Sequence, residues 1–559
     1  MSRRAAWCVV SASALVGGLT AITAVNGSAS ASASSATRSW STVFVANLGS
    51  DSLTPLDPAT DVAAPPIGLG EQPVALAVAP GAKTVYVVEV GSDQLGSPGR
   101  MVPVATSNYI LGKPIGVGTA PQAIDVTPDG KKGYVLNGHD AATTPASTPV
   151  TVTPINLVTR SALSPVKVGT LPLSMTMSPN GKLVYVVNSD PSSQGEPTAI
   201  TPIDTTTDKA GPQIRLVPSA GPFPASGLAF APDSGTAYAI TEPGVVPVHT
   251  ATGVTGKPIG LHTSMPVAIA VTPNGSTLAE VGTPITAREP GSPYGNNVTL
   301  ALLSTSTGAV GKVATLGDEP GAVAWDVVIS PDGSTAYVLV VTQSPSQSSL
   351  VSAQSTVIPV DLATGKAGKP LDVGLGGQAL AMSTNGATLY VLVTGPYHAS
   401  SPHYGPGSVV PIVTATGTLG KPVPVGEVPQ ALVVSQPLLD QVQHLVASST
   451  VKSQLVAAFA AGWHLKRAQV AGTSGTVSYA YDQTTHTYWA EASFVPASGD
   501  PPAMMQDAGA FGVFSQPKGM VWKFQGSSLP ITCRELSVVP PAVLELWAVA
   551  PTDAAYCRS

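Results

Sequence analysis

Short apolar runs, each followed by a turn motif, recur along residues 42–436. The motif is Pro-Asp-Gly or Pro-Asn-Gly at Pro128, Pro179, Pro273 and Pro331, a composition that favours tight reversals. Taking this proline or its equivalent as an anchor defines eight preceding strands: Val74–Pro80, Ala123–Pro128, Leu173–Pro179, Gly227–Pro232, Val267–Pro273, Asp326–Pro331, Ala379–Thr384 and Ala431–Gln436. The anchors lie roughly 40 to 60 residues apart, a spacing that predicts repeated β units rather than a helical solenoid.

Each anchor is followed by the pattern of three further strands. Apolar runs directly after the turns predict second strands at Thr84–Val90, Lys132–Asn137, Leu183–Asn188, Thr335–Val340 and Ala387–Val393. Third strands are predicted at Val150–Leu157, Ala199–Asp204, Val357–Leu362 and Val409–Val413, and fourth strands at Lys113–Val117, Lys257–Leu261, Lys369–Val373 and Lys421–Val425. Four short antiparallel strands per unit predict the blades of a β-propeller.

Residue size and type also fit positions within a blade. Five residues before the anchor, seven of the eight first strands carry a small residue, as expected where radial sheets narrow toward their axis: Ala75, Ala123, Ser174, Gly227, Ala268, Ala379 and Ala431, with Asp326 the exception. Lys-Pro pairs in the fourth strands suit an exposed sheet edge. Prolines in the third strands, such as Pro154 and Pro359, fit less well and indicate a bulge or a loose ladder.

The two ends of the repeat region predict how the ring of sheets closes. Thr42–Asn47 resembles a second strand without its first, and Ala431–Gln436 is a first strand without its second. Paired, they make one blade, so the pattern predicts eight blades over residues 41–437. Seven blades is the alternative if one terminal segment is not incorporated.

The second strands carry a recognisable signature. Phe44-Val45-Ala46-Asn47, Tyr134-Val135-Leu136-Asn137 and Tyr185-Val186-Val187-Asn188 resemble YVTN-type β-propeller repeats, over roughly residues 40 to 436. The resemblance implies a propeller similar to bacterial surface, secreted and lactonase-like proteins. Because Glu89, Val340 and Val393 replace the asparagine in other repeats, it implies no catalytic residue.

Composition and the N-terminus bear on where the protein works. The chain has 559 residues, 10% of them charged, and a net charge of −6 with no basic run, which argues against nucleic-acid binding. Arg3 and Arg4 precede the apolar stretch Ala5–Val25, and small residues at Ala29–Ala33 suit signal-peptide cleavage. We expect a signal peptide at 1–33, a Ser/Ala-rich linker at 34–40, an extracellular protein and no membrane span after cleavage. An uncleaved anchor is the alternative.

A different pattern begins after the last repeat. Residues 438–559 predict a small α+β domain, with a helix at Val451–His464, strands at Thr476–Asp482, Tyr488–Val495, Gly509–Ser515 and Met520–Gln525, and a last helix at Pro541–Val549. Cys533 and Cys557 would remain after signal cleavage, and an exported chain meets oxidising conditions, so we expect them to form a disulfide. Two thiols without a nearby histidine do not make a zinc site.

Few residues stand out as candidates for chemistry. Asp125 and Asp326 replace small or apolar residues of the first strands, so they should lie near the central channel, either as catalytic carboxylates or as channel walls in contact with water. Gln122, Gln378 and Gln430 recur one place before the small position and could offer amides to a polar ligand at the channel mouth. Tyr397, His398 and His403 share one long loop that could bind a metal or a sugar. Because that loop has no acidic residue, a solvated loop is the alternative, and no metal site is expected.

The predicted loop lengths favour a binding function. Variation falls on the second-to-third-strand loops, which lie on one face of a propeller, and variable loops on a rigid scaffold commonly carry binding. We therefore expect a secreted binding or scaffold protein for an extracellular or cell-surface protein or glycan, with no cofactor. The alternative is a lactonase-like hydrolase at the central channel, for which Ca²⁺ would be the cofactor.

Overall fold

A computed structural model describes residues 42–58, 60–91, 98–106, 108–138, 150–188, 199–216, 227–241, 244–260, 264–284, 298–317, 321–342, 353–395, 405–435, 442–445, 449–462, 465–482, 487–496, 510–517 and 521–526. They fall into two compact units, one within 42–435 and one within 442–526. The signal-peptide and linker predictions, the cysteines and the last predicted helix lie outside these residues.

The first unit is built almost entirely of short antiparallel strands. Its first half contains β1 (Val43–Asn47), β2 (Ser52–Asp57), β3 (Val62–Ala63), β4 (Ile67–Gly68), β5 (Pro73–Val78), β6 (Thr84–Glu89), β7 (Pro98–Ala105), β8 (Ile115–Thr119), β9 (Pro121–Val126), β10 (Lys132–Asn137), β11 (Thr151–Asn156), β12 (Ser161–Ala162), β13 (Val166–Lys167), β14 (Pro172–Met177), β15 (Leu183–Asn188), β16 (Ala199–Asp204), β17 (Lys209–Ala210) and β18 (Ile214–Arg215).

The second half of this unit repeats the arrangement. It contains β19 (Leu228–Phe230), β20 (Thr236–Thr241), β21 (Gly244–His249), β22 (Ser264–Val271), β23 (Thr277–Pro284), β24 (Val298–Ser304), β25 (Val310–Gly317), β26 (Ala322–Ile329), β27 (Thr335–Thr342), β28 (Gln354–Asp361), β29 (Lys366–Ala367), β30 (Leu371–Leu375), β31 (Gly377–Met382), β32 (Thr388–Val393), β33 (Pro406–Val413), β34 (Thr418–Leu419), β35 (Val423–Glu427) and β36 (Pro429–Val434).

These strands form eight sheets within the described part of the unit. Sheet 1 contains β36, β1, β2, β3 and β4; sheet 2, β5–β8; sheet 3, β9–β13; sheet 4, β14–β18; sheet 5, β19–β21; sheet 6, β22–β25; sheet 7, β26–β30; and sheet 8, β31–β35. In sheet 1 the two chain ends of the unit pair antiparallel, with Val43 opposite Val434 and Ala46 opposite Ala431. The predicted pairing of Thr42–Asn47 with Ala431–Gln436 is therefore present.

The first strands of successive sheets lie side by side. β36 neighbours β5, and the order continues through β9, β14, β19, β22, β26 and β31 before returning to β36. A separate apolar cluster fills the space between each pair of neighbouring sheets, including sheets 8 and 1. Each second strand contributes alternate residues to two clusters: Phe44 packs toward sheet 2, and Val43 toward sheet 8. Both faces of the second strands are buried, which explains why their sequences are continuous apolar runs.

The repeated turn motif joins first and second strands. At the Ser330 turn, Ser330 Oγ donates to Asp332 Oδ1 (2.5 Å), and the same hydroxyl accepts from the Thr335 amide (3.0 Å). The Thr127, Ser178, Thr272 and Ser383 turns repeat this network. Gly333 adopts a left-handed backbone (φ 72°) and approaches Pro273 of the preceding turn. The motif therefore builds the frame rather than a reaction site.

The third-strand prolines lie where the fourth strand is interrupted. Pro154 and Pro359 pair with Tyr134 and Tyr337 of the second strands. The carbonyl of Pro359 accepts a hydrogen bond from the Gly368 amide (2.7 Å) on the outer side, between β29 and β30. Because the nitrogen and carbonyl of one strand residue point to the same side, the missing N–H faces the break and no ladder bond is lost. The pairing with the second strands shows no register shift at these prolines, whereas the outer ladder is interrupted there, so the loose ladder is the alternative that is present.

In its described residues, the second unit packs one helix on one sheet. Helix α1 (Ser449–Gly462) is followed by a 3₁₀ turn (Arg467–Gln469), and the sheet order is β37 (Val442–Leu445), β38 (Val470–Asp482), β39 (Thr487–Pro496), β40 (Ala510–Pro517) and β41 (Lys523–Gly526). Phe459 of the helix stacks on Phe494 with ring centroids 4.2 Å apart, and Phe514 and Phe524 complete the aromatic core.

Candidate binding site

A β-bulge recurs at one position of the first strands. In sheet 3, Leu136 pairs with Ala123 and Asn137 with Pro121, so Gln122 is the extra residue. The same register shift occurs in every sheet whose first strand is described at this position. The bulged residues are Gln430, Val74, Gln122, Leu173, Val267, Trp325 and Gln378, in sheets 1, 2, 3, 4, 6, 7 and 8. All seven are half-buried, and we call them the bulge ring.

The backbone before the bulge is held in an unusual conformation. Two residues upstream, the chain is left-handed at Gln72, Ala120, Leu171 and Val428, where side chains with a Cβ are disfavoured. The carbonyl of Ala120 accepts the amide of Gly138 (2.8 Å), and that of Val428 accepts the amide of Leu48 (3.0 Å). At Gln72, Ala120 and Val428, the strained residue therefore ties the entry of a first strand to the exit of the second strand.

This geometry places the bulge ring at the end of the sheets where the second strands finish. The turn motifs lie at the opposite end. The second-to-third-strand loops, which the sequence identifies as variable, begin beside the bulge ring and lie mainly outside the described residues. The bulge projects a side chain out of the ladder. Because the first strands are neighbours around the unit, the bulged residues lie on neighbouring strands.

Contacts position two side chains of the bulge ring, those of Trp325 and Gln122. Trp325 donates its indole Nε1–H to the carbonyl of Gln378 in the next sheet (3.0 Å), and part of the indole packs on the apolar cluster between sheets 7 and 8. Gln122 Nε2 lies so close to Gly138 that a Cβ there would be 2.5 Å away. The Gln122 amide is therefore seated over the start of a variable loop.

The two candidate aspartates are buried rather than solvated. Asp125 is 7% exposed and Asp326 is 1% exposed, which corrects the expectation that they form water-lined channel walls. Asp326 accepts from its neighbour Val327 (2.7 Å) and from the Leu380 amide in the next sheet (2.9 Å). Burial raises the pKa of both carboxyls to about 7, against the lowering effect of backbone donors, which include Met177 for Asp125. Each aspartate thus links the first strands of two sheets.

The two aspartates do not form a pair. Asp125 lies in sheet 3 and Asp326 in sheet 7, so three sheets separate them in either direction around the order of neighbours. A carboxylate pair for acid–base chemistry requires both groups within reach of one substrate. Among the described residues, no group of three or more His, Cys, Asp or Glu side chains could hold a metal ion.

The signature asparagines are structural. Asn137 is buried, and its Nδ2 donates to Thr151 Oγ1 (3.1 Å) and Thr153 Oγ1 (2.9 Å) of the third strand. Gly118 of sheet 2 approaches this side chain so closely that a Cβ would be 2.5 Å from Asn137 Cγ. Where Glu89 replaces asparagine, its carboxylate accepts from the Gly70 amide (3.0 Å) and pairs with Arg100. The same position therefore holds its own third strand and the segment that precedes the sheet in different ways.

The structure sorts the predicted site residues into three groups. Gln378 and Gln430 lie on neighbouring first strands, β31 and β36, and Gln122 lies two sheets beyond Gln430. Asp125 and Asp326 are structural links. Tyr397, His398, His403, Cys533 and Cys557 lie outside the described residues. Sequence reasoning missed Trp325, although it occupies the same place before the anchor as the three glutamines.

Comparison with known proteins supports the fold. No family model and no curated protein matches the chain. Among solved structures, dihydro-heme d1 dehydrogenase NirN in complex with DHE is similar at 12% identity and a TM-score of 0.50, covering 70% of this chain and 74% of that one. Hydrazine synthase of Kuenenia stuttgartiensis is similar at 19% identity and a TM-score of 0.44, covering 61% and 96%. Together with the antiparallel sheets, the NirN similarity confirms a β-propeller-like fold. In the described residues, no helix is long and apolar enough to cross a membrane.

Proposed function

We propose that the first unit is a closed, eight-bladed β-propeller of the YVTN type. Three observations support this proposal. The chain ends share sheet 1, the first strands follow an order that returns to its start, and an apolar cluster separates every neighbouring pair of sheets. Closure leaves the inner sheet edges short and protected, because the first strands neighbour one another around the ring.

We further propose that the protein is a non-catalytic binding scaffold whose ligand surface is the end that carries the bulge ring. The observation on which this proposal depends is the recurrence of a bulged, half-buried residue at one position while the neighbouring frame is constant. The three amides of Gln122, Gln378 and Gln430 offer donors and acceptors without charge. Hydrogen bonds such as that from Leu48 to the Val428 carbonyl tie first strands to second strands at this end, and a pre-organised surface lowers the entropic cost of binding.

The burial of the aspartates argues against the hydrolase alternative. A channel hydrolase needs carboxylates that reach a substrate, whereas Asp125 and Asp326 accept backbone amides in different halves of the unit. The protein's place of action is proposed from its N-terminal sequence. A signal peptide cleaved near Ala29–Ala33 would export the chain, and an extracellular or cell-surface protein or glycan would be its ligand.

One experiment separates scaffold from hydrolase. The purified full chain is assayed against a panel of lactones with and without Ca²⁺, beside the double variant Asp125→Asn/Asp326→Asn. The scaffold proposal expects no hydrolysis above the buffer rate in any combination. Hydrolysis by the native chain that the double variant loses, while its circular dichroism spectrum stays native, would overturn the proposal.

A further inference from the structure

The bulge ring is chemically uneven. Trp325, Gln378 and Gln430 lie on three consecutive sheets, 7, 8 and 1, because β26, β31 and β36 are neighbours in that order. The bulged residues of sheets 2, 4 and 6 are aliphatic: Val74, Leu173 and Val267. One sector of the ring therefore joins an aromatic ring to two primary amides. We call Trp325, Gln378 and Gln430 the polar arc.

We propose that the polar arc is a subsite for a neutral oligosaccharide; this inference rests on the proposed binding function. A pyranose presents an apolar C–H face and a rim of hydroxyl groups. An indole supplies a large, rigid apolar surface, and a primary amide supplies two donors and one acceptor. Ligand sites commonly combine such aromatic surface with a few placed polar groups.

The contacts of Trp325 make it suited to this role. Its Nε1–H is already bound to the Gln378 carbonyl, so the indole is fixed in orientation and its polar edge needs no ligand partner. The same bond ties the backbone that bears the first amide to the aromatic ring. A pre-oriented ring loses little conformational entropy when a sugar stacks on it.

The absence of charge within the bulge ring favours a neutral ligand. None of the seven bulged residues is ionisable. At the same end of sheet 2, Glu89 is engaged by Arg100 and the Gly70 amide. Among acids of the first strands, Asp125 and Asp326 are buried and bound to backbone amides. An acidic polysaccharide would find no charged partner within the bulge ring, whereas hydroxyl groups find amides.

Isothermal titration calorimetry of the full chain tests the inference. The probes are maltohexaose, cellohexaose, mannohexaose and chitohexaose, with hexagalacturonate as the charged counterpart. We expect at least one neutral hexasaccharide to bind with a Kd below about 1 mM and hexagalacturonate to bind more weakly. Absence of binding by all four neutral probes, or stronger binding of the charged probe, would overturn the inference.

Variants locate the subsite. Trp325→Ala should weaken binding about tenfold, and Gln378→Ala or Gln430→Ala about threefold to tenfold, the effect of one lost net hydrogen bond. Trp325→Phe should recover part of the loss because it restores a stacking ring. Val158→Ala, at an exposed valine beside the turn motif at the opposite end of the sheets, is the control and should bind like the native chain.

The outcomes distinguish this inference from the proposed function. If the arc variants bind like the native chain while their melting temperatures are unchanged, the sugar is held elsewhere and the polar arc is not the subsite. If no neutral probe binds and no lactone is hydrolysed, the scaffold proposal stands and the sugar inference fails. If Asp125 and Asp326 are needed for hydrolysis, the proposed function itself fails.

Discussion

The buried carboxylate of Asp326 should make the propeller less stable as the pH rises from 5 to 8. Burial raises its pKa from 3.8 to about 7 in the folded protein. The neutral form is favoured in the folded state, so this contribution to stability is complete below about pH 4 and is lost as the pH rises through about 7. The difference between a pKa of 3.8 and one of about 7 corresponds to on the order of 4 kcal/mol in the free energy of unfolding.

The substitution Asp326→Asn removes the titrating group and keeps its size. Asparagine still accepts one backbone amide, but its NH₂ faces the second donor, Leu380 or Val327, which costs about 1–3 kcal/mol at every pH. The expected signature is therefore a variant whose unfolding free energy varies less between pH 5 and pH 8 than that of the native chain. Glu427→Gln, at an exposed carboxylate, is the matched control and should follow the native profile.

Urea unfolding of the full chain, followed by circular dichroism at pH 5, 6, 7 and 8, measures this difference. The window between pH 5 and pH 8 excludes the opposite effect of acids such as Asp129 and Asp332. Burial raises the pKa of Asp129, but hydrogen bonds led by that from Thr127 lower it overall, and the bond from Ser330 lowers the pKa of Asp332 against the effect of burial. The contributions of these two acids to stability are lost only as the pH falls through the acid range. A native chain that becomes more stable from pH 5 to 8, or a variant with the native pH dependence, would refute the reasoning.

Three further predictions concern the frame. Asn137→Ala should lower the free energy of unfolding by about 2–3 kcal/mol, because it leaves the buried Thr153 hydroxyl and the half-buried Thr151 hydroxyl without their donor; urea midpoints measure the loss. Gly181→Ala should lower the free energy of unfolding by about 1–3 kcal/mol, because φ is +68° and the new Cβ would clash with Pro128. In the control variant Gly116→Ala, the new Cβ meets no atom within 4 Å, so the free energy of unfolding should stay within about 0.5 kcal/mol of the native value. Equal losses for the two glycine variants would contradict this. Phe459→Ala should cost the second unit about 3–5 kcal/mol, seen as a selective loss of its thermal transition, since Phe459 stacks on Phe494.

Local chemistry explains why much of the fold was predictable. The turn at Ser330 satisfies its own hydrogen bonds within six residues, and the burial of second strands on both faces is visible as unbroken apolar runs. The sequence also predicted that Thr42–Asn47 pairs with Ala431–Gln436. The first segment lacks a first strand and the second lacks a second strand, so each supplies what the other is missing. The helix of the second unit begins at Ser449, two residues before its predicted start.

The candidate site was predicted only in part. The glutamines stood out because they repeat at one position before the anchor, yet the sequence did not indicate a bulge, since a bulge is a relation between two paired strands. Trp325 was missed because its residue type differs from the glutamines at the equivalent position. The aspartates were misplaced because the amides of Met177 and Leu380, which hold them, are about 50 residues away in the chain.

The sequence by itself determined the repeated strand and turn pattern of this protein, because turn geometry and side-chain alternation depend on a few adjacent residues. Only the tertiary structure decided which polar residues became internal links and which joined the bulge ring. The physical reason is that the solvation of Asp326, or the partner of Trp325, is set by the neighbouring sheet. That sheet is brought into contact only when the apolar faces of the sheets pack together.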